Sequence, residues 1–184
     1  VDTDGDGRAN LALYYPNLIV PPPSSPQVGR WFIDKNDNFQ VDFGEDNLPF
    51  GPRYALPAQG DFDPDFHLFG KSGPLAVDGI HQIAVFGSED YDGNGVLNPA
   101  LTVDGVTFNE DFNGNGIIDY IWYVDLNQNQ RFDQPAVERI PFVPGAAASR
   151  TAVPALGDYD GDRATDLGLY QPKATLVARG ASPL

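Results

Sequence analysis

The stretch Gly157-Asp158-Tyr159-Asp160-Gly161-Asp162-Arg163-Ala164-Thr165-Asp166-Leu167-Gly168-Leu169-Tyr170 joins the two signals that decide the fold. Carboxylates stand at positions 1, 3 and 5 of a nine-residue frame and again at position 9, and a short apolar run follows at once. The chain opens in the same way, with Asp2, Asp4, Asp6 and Asn10 ahead of Leu11-Ala12-Leu13-Tyr14-Tyr15-Pro16. The frame recurs at Asp34, Asn36, Asn38 and Asp42, and at Asp90, Asp92, Asn94 and Asn98. It returns at Asp111, Asn113, Asn115 and Asp119, and at Asp125, Asn127, Asn129 and Asp133. A seventh copy begins at Asp61 and Asp63, is split by an insertion, and resumes at Asp78-Gly79-Ile80-His81-Gln82.

This spacing suits a hard cation. Ca²⁺ takes six to eight oxygen ligands at about 2.3–2.6 Å, and a tight loop with side-chain oxygens at alternate positions wraps them around one point. Position 7 adds a backbone carbonyl, here from Arg8, Gln40, Val96, Ile117, Arg131 or Ala164. Glycine at position 6 allows the sharp reversal, although Phe39, Gln130 and Arg163 replace it in three loops. Asp, Asn and Gly also mark ordinary surface turns, but seven frames in register favour the metal. Mg²⁺ keeps more of its water and uses fewer protein ligands. EF-hand pairs are rejected, because Leu13 and Leu169 occupy position 12 of the first and last frames within strand-like runs, where that motif needs Glu between helices.

Composition agrees. The 184 residues carry 26 acids against 11 Lys and Arg, for a net charge of −15. Only Glu45, Glu89, Glu110 and Glu138 are glutamates, and they share no sequence motif. A field of this sign repels nucleic acid and anionic membrane, and no apolar run approaches the ~18 residues of a spanning helix. Cysteine is absent, which excludes disulfides, thiolate zinc sites and cysteine nucleophiles. Neither an initiator methionine nor a signal peptide stands at Val1, so a mature or excised product is expected.

The apolar runs read as strands, and nothing sustains a helical period. Leu11–Pro16, Ile83–Gly87 and Leu167–Pro172 follow frames, whereas Trp31-Phe32-Ile33 and Trp122-Tyr123-Val124 run straight into them. Thr102-Val103-Asp104-Gly105-Val106-Thr107 is a hairpin signal. The chain is therefore expected to be all-β, one continuous domain of tandem units: repeat 1 over 1–60, repeat 2 over 61–157, and a partial repeat 3 over 158–184. Repeat 2 carries insertions near 64–77 and 88–116. Pro21–Pro26 reads as a stiff connector and Ala146–Ser149 as a loop.

The 157–170 stretch, with Trp122-Tyr123-Val124-Asp125 and its following loop, resembles the FG-GAP/VCBS family, the calcium-loop repeats of integrin-type β-propellers and of many secreted bacterial proteins. The resemblance implies blade-like antiparallel sheets with calcium at the frame positions, usually in a structural role. Asn10 at position 9, Arg163 at position 6 and the split copy depart from the pattern. About two and a half copies fall short of the roughly four to eight blades that close a propeller. The two ends are cut at equivalent points of the repeat, so a head-to-tail contact between copies is expected; it is heterologous and gives a ring or a filament.

The leading functional expectation is a secreted or cell-surface calcium-binding structural or adhesive protein, holding up to about seven ions and assembling with itself into a fibre, sheath or surface layer. The alternatives are a lectin-like carbohydrate-binding module, with Trp31, Trp122 and the tyrosines stacking on sugars, or a fragment of a larger secreted propeller. No catalytic constellation is evident, and no enzyme is expected. A zinc site from His67 and His81 with Asp65 or Asp78 is a weak reading.

Overall fold

The computed structural model describes residues 2–3, 5–17, 28–40, 42, 45, 48–62, 80–141, 151–159, 161 and 164–172. The 64–77 insertion, the Pro21–Pro26 connector, the Ala146–Ser149 loop and the end of the third unit lie outside these residues. Among the described residues there is no helix; the chain is all-β. The strands among the described residues are β1 (Ala12–Tyr15), β2 (Arg30–Ile33), β3 (Leu48–Pro49), β4 (Leu56–Gly60), β5 (Gln82–Ser88), β6 (Leu101–Val103), β7 (Val106–Phe108), β8 (Tyr120–Val124), β9 (Arg139–Ile140), β10 (Val153–Pro154) and β11 (Leu169–Tyr170). They form small antiparallel sheets ordered β1-β2-β3, β4-β5-β8-β9, β6-β7 and β10-β11, and none closes into a barrel.

The apolar runs form the expected strands. β1 and β11 lie within the segments read from the sequence, β2, β5 and β8 contain theirs and run one or two residues beyond, and Asp104 and Gly105 both take positive φ, as a type I′ hairpin turn requires. β3, β4, β9 and β10 are additional. Three of these contain proline (Pro49, Pro57 and Pro154), and all three are edge strands, where a missing N–H costs no ladder bond.

One pairing pattern occurs twice. Ala12 opposes Ile33 and Tyr14 opposes Trp31 in the first sheet; Ala84 opposes Val124 and Phe86 opposes Trp122 in the central one. The third sheet follows suit, since Pro154 opposes Leu169 as Pro57 opposes Val85.

Because side chains alternate across a strand, this register gives each sheet two defined faces. The Ala12/Tyr14/Trp31/Ile33 face of the first sheet packs on the Ile83/Val85/Ile121/Tyr123 face of the central sheet. The opposite central face, Ala84/Phe86/Trp122/Val124, packs on Leu167 and Leu169 beside β10-β11. Each contact joins the same kind of face to the same kind of partner.

The same hydrogen bonds recur at both junctions. His81 N–H donates to Asp2 O (2.6 Å) and Thr165 N–H to Asp61 O (2.8 Å). In return Asp2 N–H donates to His81 Nδ1 (3.0 Å) and Asp61 N–H to Thr165 Oγ1 (3.2 Å). Asp2 and Asp61 are position 1 of their frames; His81 and Thr165 are position 8 of the next. Gly60 permits the second approach, for a Cβ there would sit 2.5 Å from Thr165 Cγ2.

The frames are fastened to the core by their own aromatics. Tyr91, at position 2 of the 90–98 loop, stacks on Phe132 of the 125–133 loop (centroids 5.2 Å, planes 20° apart), and Gly51 N–H donates to its hydroxyl (2.9 Å). Trp122, fully buried against Phe86, is the largest side chain of the second cluster. Trp122→Ala is expected to cost about 3–5 kcal/mol by lost burial and cavity formation. Urea unfolding monitored by far-ultraviolet circular dichroism checks this.

Candidate metal centres

Four loops, 34–42, 90–98, 111–119 and 125–133, share one hydrogen-bond pattern. The position-1 aspartate accepts the N–H of position 5 on one oxygen and of position 6 on the other: Asn38 and Phe39 on Asp34, Asn94 and Gly95 on Asp90, Asn115 and Gly116 on Asp111, Asn129 and Gln130 on Asp125. Position 3 (Asn36, Asp92, Asn113, Asn127) accepts the N–H of position 5. Position 5 accepts that of position 7: Gln40, Val96, Ile117 and Arg131.

Positions 4 and 6 are left-handed in these loops, and in 2–10 as well. Gly5, Gly7, Gly93, Gly95, Gly114 and Gly116 meet that demand readily, but Asp37, Phe39, Gln128 and Gln130 meet it against their side chains. That conformation costs about 1–2 kcal/mol per non-glycine residue, so the loop's bonds impose it.

Where positions 3 and 5 are both Asn and position 9 is Asp, the two amide groups converge on the last carboxylate. Asn36 and Asn38 donate to Asp42, Asn113 and Asn115 to Asp119, and Asn127 and Asn129 to Asp133. These bonds hold the Asp42 carboxyl below its ordinary range. Partial positive charge thus gathers where the frame would seat a cation.

The glutamates are the part the sequence reading missed. All four are buried; Glu45, Glu89 and Glu110 each close one of these loops by accepting backbone N–H groups from both its ends, whereas Glu138 holds only the C-terminal end of the 125–133 loop. Glu45 accepts from Lys35, Asn36 and Asp42 (2.9, 3.2 and 3.0 Å). Glu110 accepts from Tyr91 and Asn98 (2.6 Å each) and from Asp92 (3.4 Å). Glu89 accepts from Phe112 (3.1 Å) and Asp119 (3.3 Å), and Glu138 from Asp133 (3.1 Å) and Gln134 (2.9 Å). The available signal was their scarcity and placement: Glu89 and Glu110 directly precede frames, while Glu45 and Glu138 closely follow them.

The other three loops use their own position 9 instead. Thr3 N–H donates to Asn10 Oδ1 (2.8 Å), Phe62 N–H to Gln82 Oε1 (2.5 Å) and Tyr159 N–H to Asp166 (2.7 Å). The first loop also ties Gly5 and Gly7 to Asp2 and Arg8 to Asp6; the last ties Gly161 to Asp158. Ala164 belongs to the last loop and Asp61 begins the split one. Asp4, Asp63, Asp65, His67, Asp78, Asp160 and Asp162 lie outside the described residues. His81 uses Nδ1 to accept the Asp2 N–H rather than to face an acidic cluster.

Two observations bear on whether a cation fits. Carboxylate oxygens of Asp90, Asp92 and Glu110 lie within 4.8 Å of one another, which suits a Ca²⁺ sphere about 4.6–5.2 Å across. Burial, and then nearby Asp90, raises the Asp92 carboxyl; burial raises Glu110 as well. In the 125–133 loop, Glu138 Oε1 and Gln130 Oε1 are buried without a hydrogen-bond partner. Burial pushes Glu138 up to about 8, with Asp125 and Asp133 adding to the effect, and pushes Asp125 up to about 6. Both observations describe buried carboxyls short of compensating charge, and the carboxylate set of Asp90, Asp92 and Glu110 offers oxygen donors alone, which suits a hard cation.

Comparison with protein-family models, curated proteins and solved structures finds no match in any of the three.

A carboxyl whose folded pKa is raised stabilises the fold while protonated and loses that contribution as pH rises through the folded value. Metal-free protein should therefore lose stability with rising pH as Asp125 (about 6) and then Glu138 (about 8) ionise. Melting in a chelator from about pH 5 to 9 tests the sign; Glu138→Gln should flatten the upper part of the curve.

Proposed function

We propose that this chain is a calcium-binding structural protein of a secreted or cell-surface setting, whose sheets stack through matching faces and whose stacking continues from one copy to the next. The observation that carries the calcium reading is the single hydrogen-bond pattern of four loops, each held by a buried glutamate. The orphaned oxygens beside Asp125 and the close carboxylates around Asp90 support it. In this reading the sheets are blades of the FG-GAP/VCBS kind that the sequence resembles.

Position 1, the side-chain carbonyls or carboxylates of positions 3 and 5, the carbonyl of position 7 and the side chain of position 9 would hold the ion. A carboxylate oxygen that accepts one N–H retains a second lone pair for it. Bound calcium supplies positive charge that relieves repulsion among the acids. One site at ten times its dissociation constant adds ~1.4 kcal/mol, so four independent sites add roughly 6, comparable with the ~5–15 of a whole domain. Dissociation constants of about 10⁻⁴–10⁻³ M, usual for extracellular modules, match millimolar calcium.

Assembly is supported by the repeated junction. Its accepting face is buried at Ile83, Val85 and Tyr123 on the central sheet and at Leu167 on the third, where Leu169 is half-buried. The corresponding face of the first sheet presents Leu11 (62% exposed), Leu13 (54%) and Tyr15 (45%) to solvent. The surface that covers such a face inside this protein is another sheet of the same kind, so a second copy is the partner we assign. The tryptophans give the carbohydrate reading no support, since Trp31 and Trp122 are buried in the two cores.

Two measurements test the proposal. Millimolar calcium chloride should raise the melting temperature and a chelator should lower it; an unchanged melting curve would overturn calcium binding. Leu13→Glu should abolish calcium-dependent association in analytical ultracentrifugation, with stability within about 0.5 kcal/mol of the parent because the site is on the surface. A parent chain that stays monomeric at high concentration in calcium would remove the assembly.

A further inference from the structure

We infer that the 90–98 and 111–119 loops fill with calcium as a coupled pair, because each carries the glutamate that closes the other; this rests on the calcium reading above. Glu89 is joined by one peptide bond to Asp90, the first ligand position of its own frame. Yet its carboxylate closes the 111–119 loop, through Phe112 and Asp119. Glu110 is joined by one peptide bond to Asp111, and its carboxylate closes the 90–98 loop, through Tyr91 and Asn98. The backbone repeats the exchange: Glu89 N–H donates to Asp119 O (2.9 Å) and Glu110 N–H to Asn98 O (3.0 Å). Glu45 and Glu138, by contrast, fold back on the loops they follow.

The crossing has an energetic consequence. Wrapping an ion fixes positions 1 and 9 of a loop. In the 90–98 loop, fixing Asp90 orders the adjoining Glu89, and fixing Asn98 holds the Glu110 main chain. Glu89 in turn holds both ends of the 111–119 loop, and Glu110 leads directly into Asp111. The second ion therefore meets a loop whose ordering entropy has already been spent, which is positive cooperativity without a large structural change. By thermodynamic linkage the effect is equal in both directions. The β6-β7 hairpin between the loops adds a stiff spacer, tied in by Tyr91 against Phe108 (centroids 5.3 Å).

The amides of Gly95 and Gly116, each bonded to the position-1 carboxylate of its own loop (2.7 and 2.9 Å), are separate reporters of the two sites. Nitrogen–proton correlation spectra of the full chain, titrated with calcium chloride, should show both amides moving with one midpoint and a Hill coefficient above 1. Asp111→Asn should weaken calcium binding reported by Gly95 by about fivefold or more. Asp90→Asn should weaken that reported by Gly116 by the same factor, and Asp34→Asn should leave both midpoints in place. A local structural role for the glutamates would not produce that reciprocity. Separate midpoints with Hill coefficients of 1 in the parent chain would overturn the coupling even if a variant failed to fold, as would an unmoved Gly95 midpoint in folded Asp111→Asn. If neither amide responds to millimolar calcium, the calcium reading itself fails and the coupling with it.

Discussion

The structure depends on how each nine-residue loop is shut. The frame brings both ends of a loop together with several backbone N–H groups unpaired, and an oxygen acceptor must reach across to satisfy them. Three loops use the side chain at position 9, as Asn10, Gln82 and Asp166 do. Three use a buried glutamate from elsewhere, and in the fourth Glu138 holds the C-terminal end alone. Burying carboxylates is unfavourable in itself, and the charge-assisted bonds from N–H offset that cost. What those bonds do not remove is the repulsion among the acids, as between Asp90 and Asp92 and between Glu138 and Asp125.

The two kinds of closure divide the molecule's labour. The loops closed at position 9 lead into β1, β5 and β11 and carry the position-1 to position-8 hydrogen bonds that join one sheet to the next. The glutamate-closed loops follow β2 and β8 or flank the β6-β7 hairpin, and Tyr91 and Phe132 extend from two of them into the first core. Loop chemistry and hydrophobic packing are therefore not separate layers, since Tyr91 and Phe132, which stand between frame positions, are themselves core residues.

Much of this was legible in the sequence. The oxygen frame was visible because its period is set by the backbone and does not depend on tertiary context; in the split loop the acceptor of the Phe62 N–H is Gln82, which the sequence alone did not single out. The strands after and before the frames were equally plain. The glutamate closures were hidden because they act across the fold: Glu110 reaches Tyr91 over 19 residues and Glu89 reaches Asp119 over 30. Composition showed their rarity but not their targets. The left-handed positions at Asp37 and Gln128 were hidden for a different reason, since nothing but the surrounding bonds marks them. Two-residue strands containing Pro49 and Pro154 carry too little pattern to be read at all.

The bonds to the position-1 carboxylates also bear on chemical ageing. Asn-Gly pairs ordinarily lose ammonia when the following amide nitrogen attacks the side-chain carbonyl, and asparagine is among the thermolabile residues. At Asn94-Gly95 and Asn115-Gly116 that nitrogen points its proton at Asp90 and Asp111 instead, and its neighbour's side-chain oxygen is itself engaged by the next N–H along. The nucleophile is turned away from its target at these two pairs, so Asn94 and Asn115 should resist in the folded protein the succinimide formation that the unfolded chain would undergo, a difference that peptide mass mapping of stored folded and denatured material would reveal.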